Sequence, residues 1–422
     1  MILLIKNIKK LVQVEHKIRL KVSGKEMSVV DSIDNAYLLI HDNLIEDFGE
    51  MKNLNISEIS KDAKKFIQID ASGKMVFPSF IDSHTHLVYA GSREMEYIDK
   101  IKGLSYSEIA KRGGGILNSA KLLHQTSEEE LYQQSLKRVN EIIRQGTGAV
   151  EIKSGYGLNA DDELKMLRVI KRLKHTTPLQ IKATFLGAHS VPEEYRNKRS
   201  DYVDCVINEM IPMVASEELA DYIDVFCDKG FFTVHDTDRI LMAGMKFGLR
   251  AKIHANELAN SGGVQVGVKY NALSVDHLEY IDKEEIEALL SSDTMPTILP
   301  GAAFFLGLEY SPARKMIDAG LPIAIASDFN PGSSPSGNMK FMQSLGCINY
   351  KLLPEEVINA TTINTAYAMD LSEELGSIAK GKIANLFITK EIPSIEFFPY
   401  SYASDLIDMV ILNGEIVETM NC

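Results

Sequence analysis

The sequence predicts an α/β protein: a (β/α)8 TIM barrel with a second, smaller β-sandwich-like domain formed from both termini. Three observations predict it. Short apolar runs of strand length alternate eight times with amphipathic helical segments over about 300 residues, which is the size and order of a parallel barrel. Both ends of the chain read instead as short strands and turns. No G-x-G-x-x-G follows a strand, so a doubly wound open sheet lacks its usual phosphate-binding signature.

Residues 1–74 hold no helix-period stripe of useful length. Lys17–Val22 alternates polar and apolar residues, and Ala36–Ile40 leads through His41-Asp42-Asn43 into Leu44-Ile45 as a hairpin. At the far end, Leu386–Thr389 and Met409–Leu412 flank a loop, and Asn413-Gly414 turns the chain into Glu415–Glu418. The expected division is 1–74 together with 382–422 as one composite β domain, and 75–381 as the barrel. Barrel strands are expected near 76–83, 149–152, 179–186, 222–226, 250–253, 272–275, 294–299 and 321–326. Between them, a helix over 127–145 opens on Thr126-Ser127 with Glu129 and Glu130 behind. Another, over 161–175, opens on Asn159.

With 45% hydrophobic and 24% charged residues in 422, the composition is that of an ordinary soluble globular chain. A net charge of -13 argues against nucleic acid and anionic membrane as partners, since either needs a concentrated basic surface. The run Met1–Ile5 is too short for a signal peptide and no stretch approaches about 20 apolar residues, so a cytoplasmic protein is expected. Cys205, Cys227, Cys347 and Cys422 show no C-x-x-C spacing and read as reduced structural thiols.

In such a barrel the chemistry lies at the C-terminal ends of the strands. The first strand ends in His84-Thr-His86, and residues two apart in extended backbone share a face, so both imidazoles can reach one point. Alone, that pair reads more readily as two satisfied or solvated histidines. The third strand ends in His189, the fifth in His254, the sixth in Asp276-His277 and the eighth in Ser327-Asp328. Five of the chain's ten histidines fall at these ends, and that concentration predicts a metal site. His84, His86, His254 and Asp328 make an N/O ligand set with room for water, the composition of a catalytic site. A cation so held makes water a nucleophile near neutral pH and polarises a carbonyl. Asp328 can orient that water, and His277 can do so too or take its proton. Glu257, three residues beyond His254, can carry a proton to a leaving nitrogen, although the position also suits an acid in a helix first turn.

Three segments suit a substrate, each with the pattern of a surface loop as well. Arg93 can grip a carboxylate through its planar fork. Lys153-Ser-Gly-Tyr-Gly157 lets backbone approach a ligand while Tyr156 offers a hydroxyl. Asn330-Pro-Gly-Ser-Ser334 presents amide, hydroxyl and backbone donors beside Asp328. Lys111-Arg-Gly-Gly-Gly115 reads as a mobile loop or lid.

These motifs resemble the amidohydrolase superfamily over nearly the whole chain. The resemblance runs through Phe80–Glu96, Gly113–Leu117, Val150–Leu158, Thr184–His189, Asp224–Cys227, Lys252–Leu258, Asp276–Tyr280 and Ser327–Ser334. His-x-His marks only the superfamily. Glu151-Ile-Lys-Ser-Gly-Tyr-Gly157 with Asp328-Phe-Asn-Pro-Gly332 is far more specific, resembling the branch that performs the third step of histidine degradation. The resemblance implies hydrolysis of the cyclic amide C–N bond of 4-imidazolone-5-propanoate to N-formimidoyl-L-glutamate. It implies one zinc or iron ion per chain on His84, His86, His254 and Asp328, and a homodimer. Substrate contacts are implied for Arg93, Tyr156, His189, Glu257, Asn330, Gly332 and Ser333. The expected roles place the propanoate on Arg93 and Tyr156, an oxyanion on the metal and His189, and proton transfers on Glu257, His277 and Asp328. Ser333 stands where the family more often has threonine, and Asn385 replaces the usual aspartate of a Gly-Lys-x-Ala-Asp pattern. Serine keeps the hydroxyl, and Asn385 falls in the outer domain.

Three rival readings share parts of this pattern. A cytosine- or guanine-deaminase-like nucleobase aminohydrolase has the same ligand layout, but Arg93 argues for an anionic small molecule. A two-metal hydrolase needs a bridging carboxylated lysine, for which Lys229 is the candidate beyond the fourth strand. A non-catalytic barrel scaffold is expected to lack ligands, and none is missing.

Overall fold

The computed structural model describes residues 1–56, 65–104, 108 and 114–417. Two sheets organise them. The first gathers the chain ends: β1 (Ile2–Val12), β2 (Ser32–His41), β3 (Leu44–Glu50), β4 (Phe66–Asp70) and β5 (Met75–Pro78). It is completed from the far end by β14 (Leu386–Thr389), β15 (Ile407–Leu412) and β16 (Glu415–Ile416), in the order β16-β15-β14-β5-β1-β2-β3 with β4 also on β1. Both expected hairpins are present, β2–β3 through Asp42-Asn43 and β15–β16 through Asn413-Gly414. Asn413 takes a left-handed φ of 52°, which its short polar side chain tolerates.

The second sheet is the barrel. Its strands are β6 (Phe80–Asp82), β7 (Thr147–Lys153), β8 (Gln180–Ala188) and β9 (Tyr222–Cys227), then β10 (Arg250–Ala255), β11 (Ser274–His277), β12 (Met295–Ile298) and β13 (Ala324–Ile325). Each pairs in parallel with the next. The seam between β13 and β6 closes just past the strand ends, where Asp328 N donates to His84 O and His86 N to Phe329 O, both at 3.0 Å. Helices cover the outside, among them α1 (Glu94–Ile101), α2 (Ile116–Gln125), α3 (Glu128–Arg144) and α4 (Ala160–Thr176). α3 and α4 start where their caps predict: Ser127 Oγ accepts from Glu130 N, and Asn159 Oδ1 from Asp162 N. No helix of the described residues is long and apolar enough to cross a membrane.

Two expected strands differ. The run 76–83 is two strands in two sheets. Ser79 N turns away to Asn385 O while Phe80 N pairs with Gly146 O, so Met75–Pro78 joins the outer sheet and only Phe80–Asp82 enters the barrel. Phe77 and Phe80 then pack around Phe387, at ring distances of 5.3 and 5.0 Å. Lys17–Val22 is not a strand; at its end a side chain takes the place of a neighbouring strand, with Val22 N donating to Asn364 Oδ1 and Val22 O accepting from Asn364 Nδ2. Lys111–Gly113 of the expected lid and Cys422 lie outside the described residues. Asn385 Nδ2 donates to Gly148 O and its Oδ1 accepts from Asn413 N, tying the outer sheet to the N-terminal end of a barrel strand, away from the C-terminal ends.

Candidate active site

At the C-terminal ends of the barrel strands lies a cavity of about 570 Å³. His86, Arg93, Tyr156, His189, His254, Glu257, His277, Asp328, Asn330, Gly332 and Ser333 all line it. His84 lies just beneath with no exposure. Every residue expected at the site is thus brought together. Lys229 is not: it is exposed in the turn after β9 and does not line the cavity, which leaves the two-metal reading without its bridge.

His84, His86 and His254 present nitrogens that all lie within 4.8 Å of one another. Burial holds the imidazoles of His84 and His86 well below their ordinary pKa, so they are neutral, the form that binds a cation. His84 Nδ1 lies 2.6 Å from Asp276 Oδ2. Next to a carboxylate that nitrogen carries the proton, which leaves Nε2 with a lone pair and, among the described residues, no hydrogen-bond partner. His254 Nδ1 also faces a carboxylate, 3.0 Å from Asp224 Oδ2, without the alignment of a hydrogen bond. The Nε2 atoms of His86 and His254 are 3.3 Å apart. Two nitrogens bound tetrahedrally to one ion at about 2.0–2.1 Å are separated by about 3.3 Å. Asp328 Oδ1 lies 3.6 Å from Nε2 of both His84 and His86. The donor set and its orientation therefore fit a zinc or iron ion.

Asp328 sits at φ 54°, and its neighbours fix it in that strained conformation. Asn330 Nδ2 donates to Asp328 O at 2.6 Å, while Asn330 Oδ1 accepts from Gly332 N and Ser333 N. Ser333 Oγ donates to Asp328 Oδ2 at 3.1 Å. Burial raises the Asp328 carboxyl to about 6. Glu257 is not in a helix first turn, since the next helix starts at Gly263. It stands in a bend held by Leu258 N on Asp228 Oδ2 and by Ser261 N on Asn256 Oδ1. Burial, with Asp328 and Asp228 adding, pushes its carboxyl up to about 8. Glu257 Oε2 is 3.6 Å from His277 Nε2, and Glu279 lies 3.8 Å from His277 Nδ1.

The segment Ser154–Leu158 wraps around one buried acid that sequence reasoning passed over. Glu163, in the first turn of α4, accepts from Gly155 N, Gly157 N and Leu158 N at 3.0, 2.7 and 2.9 Å and so fixes the loop that carries Tyr156. Gly155 adopts φ 111°, and a Cβ there would fall 2.9 Å from His189 Nδ1. His189 Nδ1 faces Gly155 O at 2.9 Å; a carbonyl only accepts, so this nitrogen is protonated. Burial lowers His189 to about 3, which leaves a neutral ring with Nε2 as an acceptor.

Beneath the histidines lies a fully buried charge cluster whose role was also missed. Lys153 Nζ contacts Glu151 and Asp224 at 2.7 and 2.8 Å, with Asp276 at 3.8 Å, and Lys252 Nζ contacts Glu151 at 2.8 Å and Ser83 O at 2.8 Å. The readable signal was polar residues inside apolar strands: Glu151 and Lys153 alternate in β7, and Lys252 and His254 alternate in β10.

Arg93 caps α1 and lies against Gly332, where an added Cβ would fall 2.0 Å from Arg93 Nη1. Gly332→Ala is expected to displace the guanidinium and raise KM for an anionic substrate about tenfold or more at nearly unchanged kcat, read by steady-state kinetics.

The amidohydrolase family pattern matches residues 75–417. The chain is 57% identical to the imidazolonepropionase of Christiangramia forsetii over 99% of this chain and 100% of that one. It is 40% identical to that of Alkaliphilus oremlandii, over 98% and 97%. Among solved structures, a triazine hydrolase variant superposes with a TM-score of 0.74 at 14% identity, covering 98% of this chain and 94% of that one. Guanine deaminase from C. acetobutylicum with bound guanine gives 0.71 at 15%, covering 99% and 100%. At such identities the structural likeness concerns the fold alone.

Proposed function

The chain belongs to the amidohydrolase family, among its imidazolonepropionases, and from that premise we propose how its site opens 4-imidazolone-5-propanoate to N-formimidoyl-L-glutamate. The observation that carries the proposal is the pairing of three buried histidines, two of them facing carboxylates through Nδ1, with a cavity that also holds Arg93 and a proton-bearing Glu257. His84, His86, His254 and Asp328 would hold one zinc or iron ion, whose chemistry when bound would be to polarise the ring carbonyl and acidify water.

The chain's own groups do the rest. Arg93 and Tyr156 take the propanoate and set the ring with its carbonyl toward the histidines. His189 Nε2, an acceptor, receives a ring N–H; this replaces the oxyanion-stabilising role expected from the sequence. Asp328 orients the water and accepts its proton as the new C–O bond forms, with His277 beside it. Glu257 then delivers a proton to the ring nitrogen as the C–N bond breaks, and the proton that Asp328 took from water restores Glu257. The ring carbonyl carbon ends as a carboxylate and the freed nitrogen as part of the formimidoyl group.

The test is turnover of freshly made 4-imidazolone-5-propanoate with and without a strong chelator, with metal content read on the same sample. Formimidoylglutamate should appear, cease with metal removal and return on adding back about one ion per chain. No product from a metal-loaded sample would overturn the substrate, and ammonia release from cytosine or guanine would replace it with the deaminase reading.

A further inference from the structure

The Arg93 end of the cavity has a charge problem that Arg93 alone does not solve. Its Nε and Nη2 both donate to one oxygen of Glu96, at 2.8 and 2.7 Å. Glu96 is further held by Gly115 N at 3.1 Å and Asn118 Nδ2 at 3.0 Å, and the two side chains are only 9% and 13% exposed. This pair is fixed in place and has no net charge. A carboxylate docking on the remaining Nη1 edge, beside Gly332, therefore gains hydrogen bonds but little attraction.

The missing charge stands on the same face of α1. Residues 93, 96 and 100 follow the i, i+3, i+7 spacing that stacks side chains along one side of a helix. Lys100 lines the cavity, half-buried, with Nζ 3.4 Å from Gly332 O and 5.0 Å from the centre of the Phe305 ring. Among the described residues no carboxylate lies within ion-pair distance of it. Burial and the neighbouring Arg93 pull its ammonium down to about 8, as befits a desolvated cation without a counter-ion of its own. We propose that Lys100 is a substrate-binding residue whose ammonium forms, with the Nη1 edge of Arg93, the subsite for the substrate's propanoate. Glu96 is the positioning residue that aims Arg93 and cancels its charge. The proposal rests on the imidazolone propanoate reading for the identity of the anion, and on the geometry of α1 for the subsite.

Steady-state kinetics of the metal-loaded enzyme, Lys100→Gln and Lys100→Arg test it, together with binding of imidazole-4-propanoate and its uncharged carboxamide by calorimetry. Lys100→Gln should raise KM, and weaken binding of the acid, about 30-fold, with kcat within about threefold. Lys100→Arg should regain most of that loss, and all three proteins should bind the carboxamide alike. An unchanged KM, or a loss shared equally by acid and carboxamide, overturns the subsite. Should the wild type fail to turn over, the reaction falls, and the binding data still decide: an acid preference that Lys100→Gln abolishes keeps the subsite, and no preference removes it.

Discussion

Glu257→Gln should lower kcat on 4-imidazolone-5-propanoate by about a hundredfold or more while the metal content stays near one ion per chain. Glu257 lines the cavity but is not among the three histidines that cluster, so its loss leaves the ligand set intact. Its carboxyl is buried and protonated, and its position in a bend braced by Asp228 and Asn256 keeps it aimed at the cavity. Glutamine preserves size and hydrogen bonding but has no acidic proton to give to a departing nitrogen. KM should change little, which separates a lost proton transfer from lost binding. Kinetics and metal analysis on one preparation check this, and near-normal turnover would remove Glu257 from the role.

Lys153→Met should be the most destabilising single change in the barrel. Lys153 faces Glu151, Asp224 and Asp276 with no exposure on any partner. Burial alone would lower its pKa, and those three carboxylates instead raise it, so the ammonium is charged in the folded protein. Without it, only Glu151 of the three carboxylates keeps an ammonium partner, Lys252. Removing one partner of a buried ion pair typically costs about 3–5 kcal/mol, which a denaturant midpoint at constant slope would register. Two of those carboxylates orient His84 and His254, so metal affinity should also fall, about 10- to 100-fold, by competition with a chelating dye. A variant with native stability and native affinity would show the cluster to be dispensable.

Much of this was legible in the sequence because the periodicities of the barrel are local. Apolar runs marked eight strands, and histidines or an aspartate just past five of them marked the site. What stayed hidden depends on which sheet a residue enters. Nothing in Val76–Ser83 announces that Ser79 divides two sheets, because both halves open on apolar residues and both are buried. Lys17–Val22 has a strand's alternation, yet the amide that satisfies Val22 comes from Asn364, far along the chain. The supporting carboxylates were visible as letters, but Asp276 beneath His84 and Glu163 beneath Gly155 acquire their meaning only from contacts across the fold. Lys100 was read past for the same reason: its value lies in Glu96 having already neutralised Arg93.

The division at Ser79 has a consequence for how the chain comes to be folded. β5 lies between β1 and β14, and Phe77 and Phe80 pack on Phe387. During synthesis from the N-terminus, the strand leading to His84 and His86 is therefore made long before the segment that braces it. The outer sheet stays open at β5 until residues near 387 emerge, and such distant pairings are slow to form. Until then β5 has no partner on its β14 side, and the seam that ties His84 and His86 to Asp328 and Phe329 cannot close before those residues are made.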